Sequence, residues 1–290
     1  MKDQAVGQPK DYYFTNDGLT LHYAEWGDPA SETLVLVHGN RDQCRSWDFF
    51  VSSLFAQGNV NLHVVALDLR GHGDSDWLPP GRGYRHEDFL LDLTSLFQHL
   101  KKDSIILAGH SLGGSMATLF AGLFPSKVRR LILVEATGPF SRRDEEAPRL
   151  LAQWLEGAAS ESERQSYPTL EDVAKAIQKG FPLIPDEAAR HMARHCMKGT
   201  DSGYISKYDP RVRERSFSIF SEGQVRAFVG RIECPTLLVF GKQGEFINSP
   251  RASRVSLFKN RKVVEFEGTG HHVPHEKPEE LAKIVYPFLR

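Results

Sequence analysis

Cysteine is scarce in this chain. Only Cys44, Cys196 and Cys234 occur among 290 residues, and they lie far apart. An odd number without C-x-x-C spacing argues against a disulfide framework and against a zinc site. No segment approaches the roughly 18 consecutive apolar residues of a membrane helix. Neither charge sign is in excess: 36 Lys and Arg stand against 37 Asp and Glu, a net charge of -1. Nothing in that balance calls for nucleic acid or an anionic membrane as partner. The opening stretch MKDQAVGQP has no apolar core of the secretory type, so a cytoplasmic location is expected. Internal repeats and low-complexity tracts are absent too. What remains is ordinary for a globular protein, 40% hydrophobic and 25% charged. The length allows one to two domains and a sizeable core.

Short apolar runs recur at 33–37 (TLVLV), 62–67 (LHVVAL), 104–108 (SIILA), 128–134 (VRRLILV), 236–240 (TLLVF) and 262–266 (KVVEF). They are rich in β-branched residues and mostly lack alternation, as strands covered on both faces do. Helical patterns fall between them at 47–56, 86–100 and 111–124. This rhythm predicts an α/β fold, a mostly parallel central sheet with helices on both faces. Runs at 12–15 and 19–26 flank Asn-Asp-Gly, a hairpin signal, so the sheet is expected to begin antiparallel. From about 140 to 223 the rhythm stops. That stretch is helix-prone, punctuated by prolines, and shows no strand-like run. It reads as a helical cap inserted after the sixth strand. The expected division is a core over 1–139, a cap over 140–224 and the rest of the core over 225–290.

The chemistry begins at AGHSLGG, residues 108–114. Gly109-His110-Ser111-Leu112-Gly113 fits G-x-S-x-G between a strand and a helix, the setting of a nucleophile elbow. The glycines are needed because the turn is so sharp that side chains two positions either side of the serine would collide. The turn also lifts the hydroxyl to a helix N-terminus, where free N–H groups favour developing negative charge. A serine hydroxyl needs a base. His271, in EGTGHHVPHEKPEEL after the last strand, is the candidate. His272 is offset by one position and is expected to point elsewhere. His275 is the other competitor. A loop holding Gly268, Gly270 and Pro274 gives no regular helical face for two metal ligands, so no metal site is expected there.

Four segments together, VLVHGN (35–40), ALDLRGHGDSD (66–76), GHSLGG (109–114) and GTGHHVPHEKP (268–278), resemble the α/β-hydrolase superfamily, its capped branch of serine esterases, lactonases and carbon–carbon bond hydrolases. The resemblance runs from about residue 12 to the C-terminus apart from the insertion. It implies His271 as the base, Glu276 as a marker of the following helix, and an oxyanion hole from the backbone N–H groups of Asn40 and Leu112. His38, His72 and His110 then organise loops, Arg70 and Asp68 pin theirs, and Asp74 and Asp76 are solvated.

The third triad member breaks the pattern. The superfamily usually takes its acid from a Gly-x-x-Asp loop, and this chain reads Gly241-Lys242-Gln243-Gly244-Glu245. Gly244 stands where the aspartate is expected. A relocated acid is therefore expected, with Glu135 at the end of LILVE favoured and Glu245 as the alternative. Trp154, Leu155, Phe181, Ile184, Met192, Met197, Tyr204, Phe217 and Phe220 form the apolar stock of the insertion, and Trp47 and Phe140 are candidates for the entrance. The expected activity is hydrolysis of a small-molecule carboxylic ester or lactone through an acyl-enzyme on Ser111, without cofactor or metal. The alternatives are a carbon–carbon hydrolase of a diketone-like substrate and a ligand receptor on a hydrolase scaffold.

Overall fold

The computed structural model describes residues 7–58, 60–157, 164–213, 220–244 and 250–290. Its centre is an eight-stranded sheet. The strands are β1 (Lys10–Asn16), β2 (Leu19–Gly27), β3 (Glu32–Val37), β4 (Leu62–Leu67), β5 (Ile105–His110), β6 (Val128–Val134), β7 (Thr236–Gly241) and β8 (Arg261–Phe266). Their spatial order is β1-β2-β4-β3-β5-β6-β7-β8. The β1–β2 hairpin and the β2–β4 pair are antiparallel, and every later pair is parallel. The Asp17-Gly18 turn carries positive φ at both residues, as a tight hairpin turn requires.

Because β3 to β7 are covered on both sides, their residues split by parity into two cores. On one face Val35, Val37 and Leu107 pack with α2 (His86–His99), α3 (Leu112–Leu123) and the helix Glu222–Gly230. On the other, Leu34, Leu36, Ile106 and Ala108 pack with α1 (Asp48–Phe55) and the C-terminal helix Pro278–Phe288. Trp47 is 1% exposed inside this second core, so it does not line an entrance; its indole is spent on packing against Phe50. Phe140, by contrast, is exposed.

Between β6 and β7 lie α4 (Ala147–Gly157), α5 (Leu170–Gly180) and α6 (Asp186–Cys196). Thr169 caps α5 by accepting from Asp172 N–H. The pair α5–α6 builds a third core of its own from Val173, Ala174, Ile184, Ala189 and Met192. This stretch is not purely helical, as its lack of apolar runs had suggested. Ser166–Tyr167, Gly203–Ser206 and Met197–Thr200 form a small antiparallel sheet, and Ser141–Arg142 pairs in parallel with Phe220–Ser221. Strands of two to four residues are too short to show a period in sequence. Among the described residues no helix is long and apolar enough to cross a membrane.

Candidate active site

The C-terminal ends of β3, β5 and β6 lie side by side, and the site grows from the loops that leave them. Ser111 follows β5 with φ 51° and ψ −110°, a backbone strained for any residue but glycine. Ser111 N–H donates to Val134 O (3.0 Å) and Gly113 N–H to His38 O (3.0 Å), which holds the elbow between the neighbouring strand ends. The close approach explains the glycines. A Cβ on Gly109 would sit 2.3 Å from Gly113 O, and one on Gly113 would sit 2.2 Å from Val37 O. Leu112 opens α3, so its N–H has no partner within the helix.

Glu135 is the next residue after β6, with φ 55° and a fully buried side chain. Its Oε1 accepts Gly241 N–H at 2.7 Å, and its own N–H donates to Val239 O at 2.9 Å. Its Oε2 lies 3.3 Å from His271 Nδ1. Gly244 is the reason there is room: a Cβ there would approach Glu135 Oε2 to 2.8 Å. A carboxylate carried at 244 and the Glu135 carboxylate therefore compete for one space. Glu245, the alternative acid, lies outside the described residues.

His271 sits in the loop after β8, its side chain about one-third exposed. Two neighbours hold the loop. Glu276 accepts the backbone N–H groups of Gly270 (2.5 Å) and His272 (3.1 Å). His110 Nε2–H donates to His271 O at 2.8 Å. His110 is buried, and that burial, followed by the charge of His271, pushes its pKa well below the usual histidine range. Ser111 and His271 line the same cavity, of about 350 Å³. Among the described residues no hydrogen bond joins the Ser111 hydroxyl to the His271 ring; such contacts are often long without substrate and tighten in the complex.

Of the proposed oxyanion residues, Asn40 lines the cavity and Leu112 does not. His38 Nδ1–H donates to Gly39 O (2.7 Å) while its Nε2 accepts Leu69 N–H (3.1 Å), which ties the turn before Asn40 to the loop after β4. His72, its pKa lowered to about 3 by burial and then by His38, lies 3.3 Å from the Asn40 side-chain amide. That contact, with a long bond from the amide nitrogen to Val212 O (3.4 Å), occupies the Asn40 side chain. The same loop is pinned by Arg70, whose guanidinium grips Asp92, and by Asp68, which takes the His22 ring (2.7 Å) and the N–H groups of Cys44 and Asp74. Asp74 and Asp76 are not simply solvated: Asp74 pairs with Lys207, and Asp76 accepts Thr20 N–H.

From the inserted segment, Phe181, Met192 and Met197 reach the cavity, whereas Ile184 and Tyr204 serve that segment's own core. Leu155 is exposed, and Phe217 lies outside the described residues. Among the lining residues the sequence did not single out are Tyr208 and Asp42, and His272, expected to point elsewhere, lines the cavity after all. Nothing in the local sequence pattern marks them, because each reaches the wall through loop geometry.

Two clusters bring metal-ligand types together among the described residues, His22/Cys44/Asp68 and Asp48/His191/His195. Their carboxylates are already engaged, Asp68 as above and Asp48 by Arg45 (2.7 Å) and His191 (3.3 Å).

Comparison with known proteins agrees with this fold. A model described as "Alpha/beta hydrolase family" matches residues 34–284. The chain is 26% identical to a probable serine hydrolase of Drosophila melanogaster, across 93% of this chain and 85% of that one. It is 24% identical to a bifunctional esterase/perhydrolase of Acinetobacter calcoaceticus, across 96% and 99%. A solved thioesterase domain from the curacin biosynthetic pathway superposes with a TM-score of 0.86 at 26% identity, across 96% of this chain and 99% of that one.

Proposed function

The chain belongs to the alpha/beta hydrolase family, a membership that with its serine-hydrolase relatives supports a hydrolase, and from that premise we propose a serine hydrolase of small-molecule carboxylic esters or lactones. The carrying observation is the buried Glu135 carboxylate on His271 Nδ1, in a loop that opens on the same cavity as Ser111. Glu135 holds Nδ1–H, so Nε2 is the nitrogen free to take the Ser111 proton. Ser111 Oγ attacks the substrate carbonyl carbon, and its proton passes to His271 Nε2. The carbonyl oxygen becomes an oxyanion held by Asn40 N–H and Leu112 N–H. Collapse expels the alkoxide, which leaves with the proton from His271. Water, deprotonated by His271, then cleaves the acyl-enzyme and restores Ser111. No step calls on a metal or an organic cofactor.

Residues 140–224 act as the cap in this reading. Their separate core and the reach of Phe181, Met192 and Met197 into the cavity support that role. The apolar wall suits an acyl group of medium size. The esterase relative and the thioesterase neighbour support an acyl ester, oxygen or sulfur, as the bond cleaved.

The test is hydrolysis of short-chain p-nitrophenyl esters. Wild type is expected to turn them over and the folded Ser111→Ala variant to sit at the background rate. An inert wild type, or Ser111→Ala at the wild-type rate, would sink the reading.

A further inference from the structure

Arg41 follows the oxyanion residue Asn40, is exposed and lines the cavity that holds Ser111, yet the mechanism has no use for it. Its backbone is strained. With φ 62° it occupies the left-handed region, which glycine enters without penalty and other residues seldom do. Strain of this kind persists only where the surroundings impose it, and it gathers at functional sites.

The side chain is unspent. Other cations around the site have anionic partners: Arg45 holds Asp48, Arg70 holds Asp92, Lys207 holds Asp74 and Arg211 holds Asp209. Arg41 makes no ion pair, hydrogen bond or ring contact among the described residues. Asp42, next in the chain, is buried and takes the Ser46 hydroxyl instead. The Arg41 charge does reach the catalytic loop: after burial, His275 and His271, it is the next cause that holds His272 below the usual histidine range. Burial keeps His110 and His272 neutral, so neither brings a positive charge to the cavity. The wall supplied by the inserted segment, with Val173, Ile177, Phe181 and Met192, contains no charged side chain. In such a pocket a few polar groups set orientation and specificity. A guanidinium offers its N–H groups in a planar fork that matches two oxygens of a carboxylate or phosphate.

We infer that Arg41 determines specificity: its guanidinium binds an anionic group, carboxylate or phosphate, carried by the substrate whose carbonyl sits at Ser111. The inference rests on the hydrolase reading in taking this cavity as the seat of a carbonyl compound, and it narrows that compound to an anionic one.

Straight-chain methyl ketones, uncleavable mimics of an ester carbonyl, carry the test. Carboxylate-ended ketones are compared with carboxamide-ended partners of the same length, and phosphate-ended ketones with their neutral dimethyl esters, by calorimetric titration of the intact protein. Wild type is expected to bind one anionic series about tenfold tighter than its neutral partner. Which series shows the preference tells a carboxylate from a phosphate substrate. The preference is expected to vanish in Arg41→Gly and Arg41→Gln and to survive in part in Arg41→Lys, which keeps the charge without the fork. Glycine suits the backbone at 41, so Arg41→Gly is expected to melt no lower than wild type. Equal affinities in wild type, no saturable binding of any ketone, or a preference that survives both Arg41→Gly and Arg41→Gln, as an anion held by His271 would show, overturns the inference. Ester turnover by wild type is scored separately, so failure of the hydrolase reading shows there and not in the ketone ratios.

Discussion

Replacing Glu135 by Gln is expected to lower kcat for ester hydrolysis on the order of 10⁴-fold while KM changes little, by the precedent of losing the acid in a Ser-His-Asp triad. Gln is nearly isosteric, and its amide oxygen can still accept Gly241 N–H, so the fold should survive. What is lost is the acceptor on His271 Nδ1, 3.3 Å away. An amide NH₂ in that place forces the other tautomer and gives no stabilisation to the imidazolium. The shared space near Gly244 supplies a second arm. In Glu135→Ala the clash of a Cβ at 244 with the Glu135 carboxylate disappears, leaving the 3.0 Å approach to Gly241 O, and Gly244→Asp in that background places a carboxylate close to the vacated position. Partial recovery of kcat in Glu135→Ala/Gly244→Asp, where Glu135→Ala alone is nearly dead, is the expected result. Steady-state kinetics with a p-nitrophenyl ester read both. A Glu135→Gln variant within about threefold of wild type would remove Glu135 from the triad.

The second large effect is acid lability. His275 is 2% exposed, both ring nitrogens lack a partner among the described residues, and burial, followed by the charges of His110 and His191, lowers its pKa to about 3. His72 is lowered to about 3 as well. The unfolded chain protonates both near pH 6.5, whereas the folded chain holds them neutral to much lower pH. Below pH 6.5 the unfolded state therefore binds more protons, and stability present above that pH is lost as pH falls from 6.5 towards 3. Each such histidine costs about 1.4 kcal/mol per pH unit in that window. The two together cost roughly 3 kcal/mol at pH 5.5, a large share of the 5–15 kcal/mol typical of a folded chain. His110 and His272 are depressed too and act in the same direction. His22 opposes them, because Asp68 beside it raises its pKa despite burial, and that contribution is present at low pH. Urea midpoints are expected to fall steadily from pH 7.5 to 5.5. His275→Leu, which removes the titration without removing any hydrogen bond, should flatten the slope by about one proton. A pH-independent midpoint, or an unchanged slope in His275→Leu, would contradict this account.

Much of the architecture was readable because it follows from periodicity. The run at 33–37 is the heart of Glu32–Val37, and 62–67 is Leu62–Leu67 to the residue. Both runs lie in strands covered on two faces, and all their positions but Thr33 and His63, whose side chains lie 3.1 Å apart, are apolar. The elbow and the His271 loop were readable because glycines at fixed spacing have a steric reason that survives any context. Glu135 was weighed in the sequence only because Gly244 lacks a carboxylate, and the structure ties those two facts together through one shared space. The inserted segment was less legible. Its two- to four-residue strands carry no pattern, and which of its apolar side chains face the cavity depends on how α5 and α6 roll against each other. Asp42 and His272 look like ordinary loop polar residues in sequence. Their meaning comes from burial, which one-dimensional pattern does not encode. Trp47 misled for the same reason: an aromatic at a cavity mouth is indistinguishable in sequence from one in the core.

The central claim is that Ser111 becomes acylated. The direct measurement is intact-protein and peptide mass spectrometry after exposure to a fluorophosphonate, which traps an activated serine as a stable adduct. The account predicts one adduct per chain, on the peptide containing Ser111, lost in Ser111→Ala and slowed strongly in Glu135→Gln. No adduct on wild type, or an adduct that persists in Ser111→Ala, would contradict it.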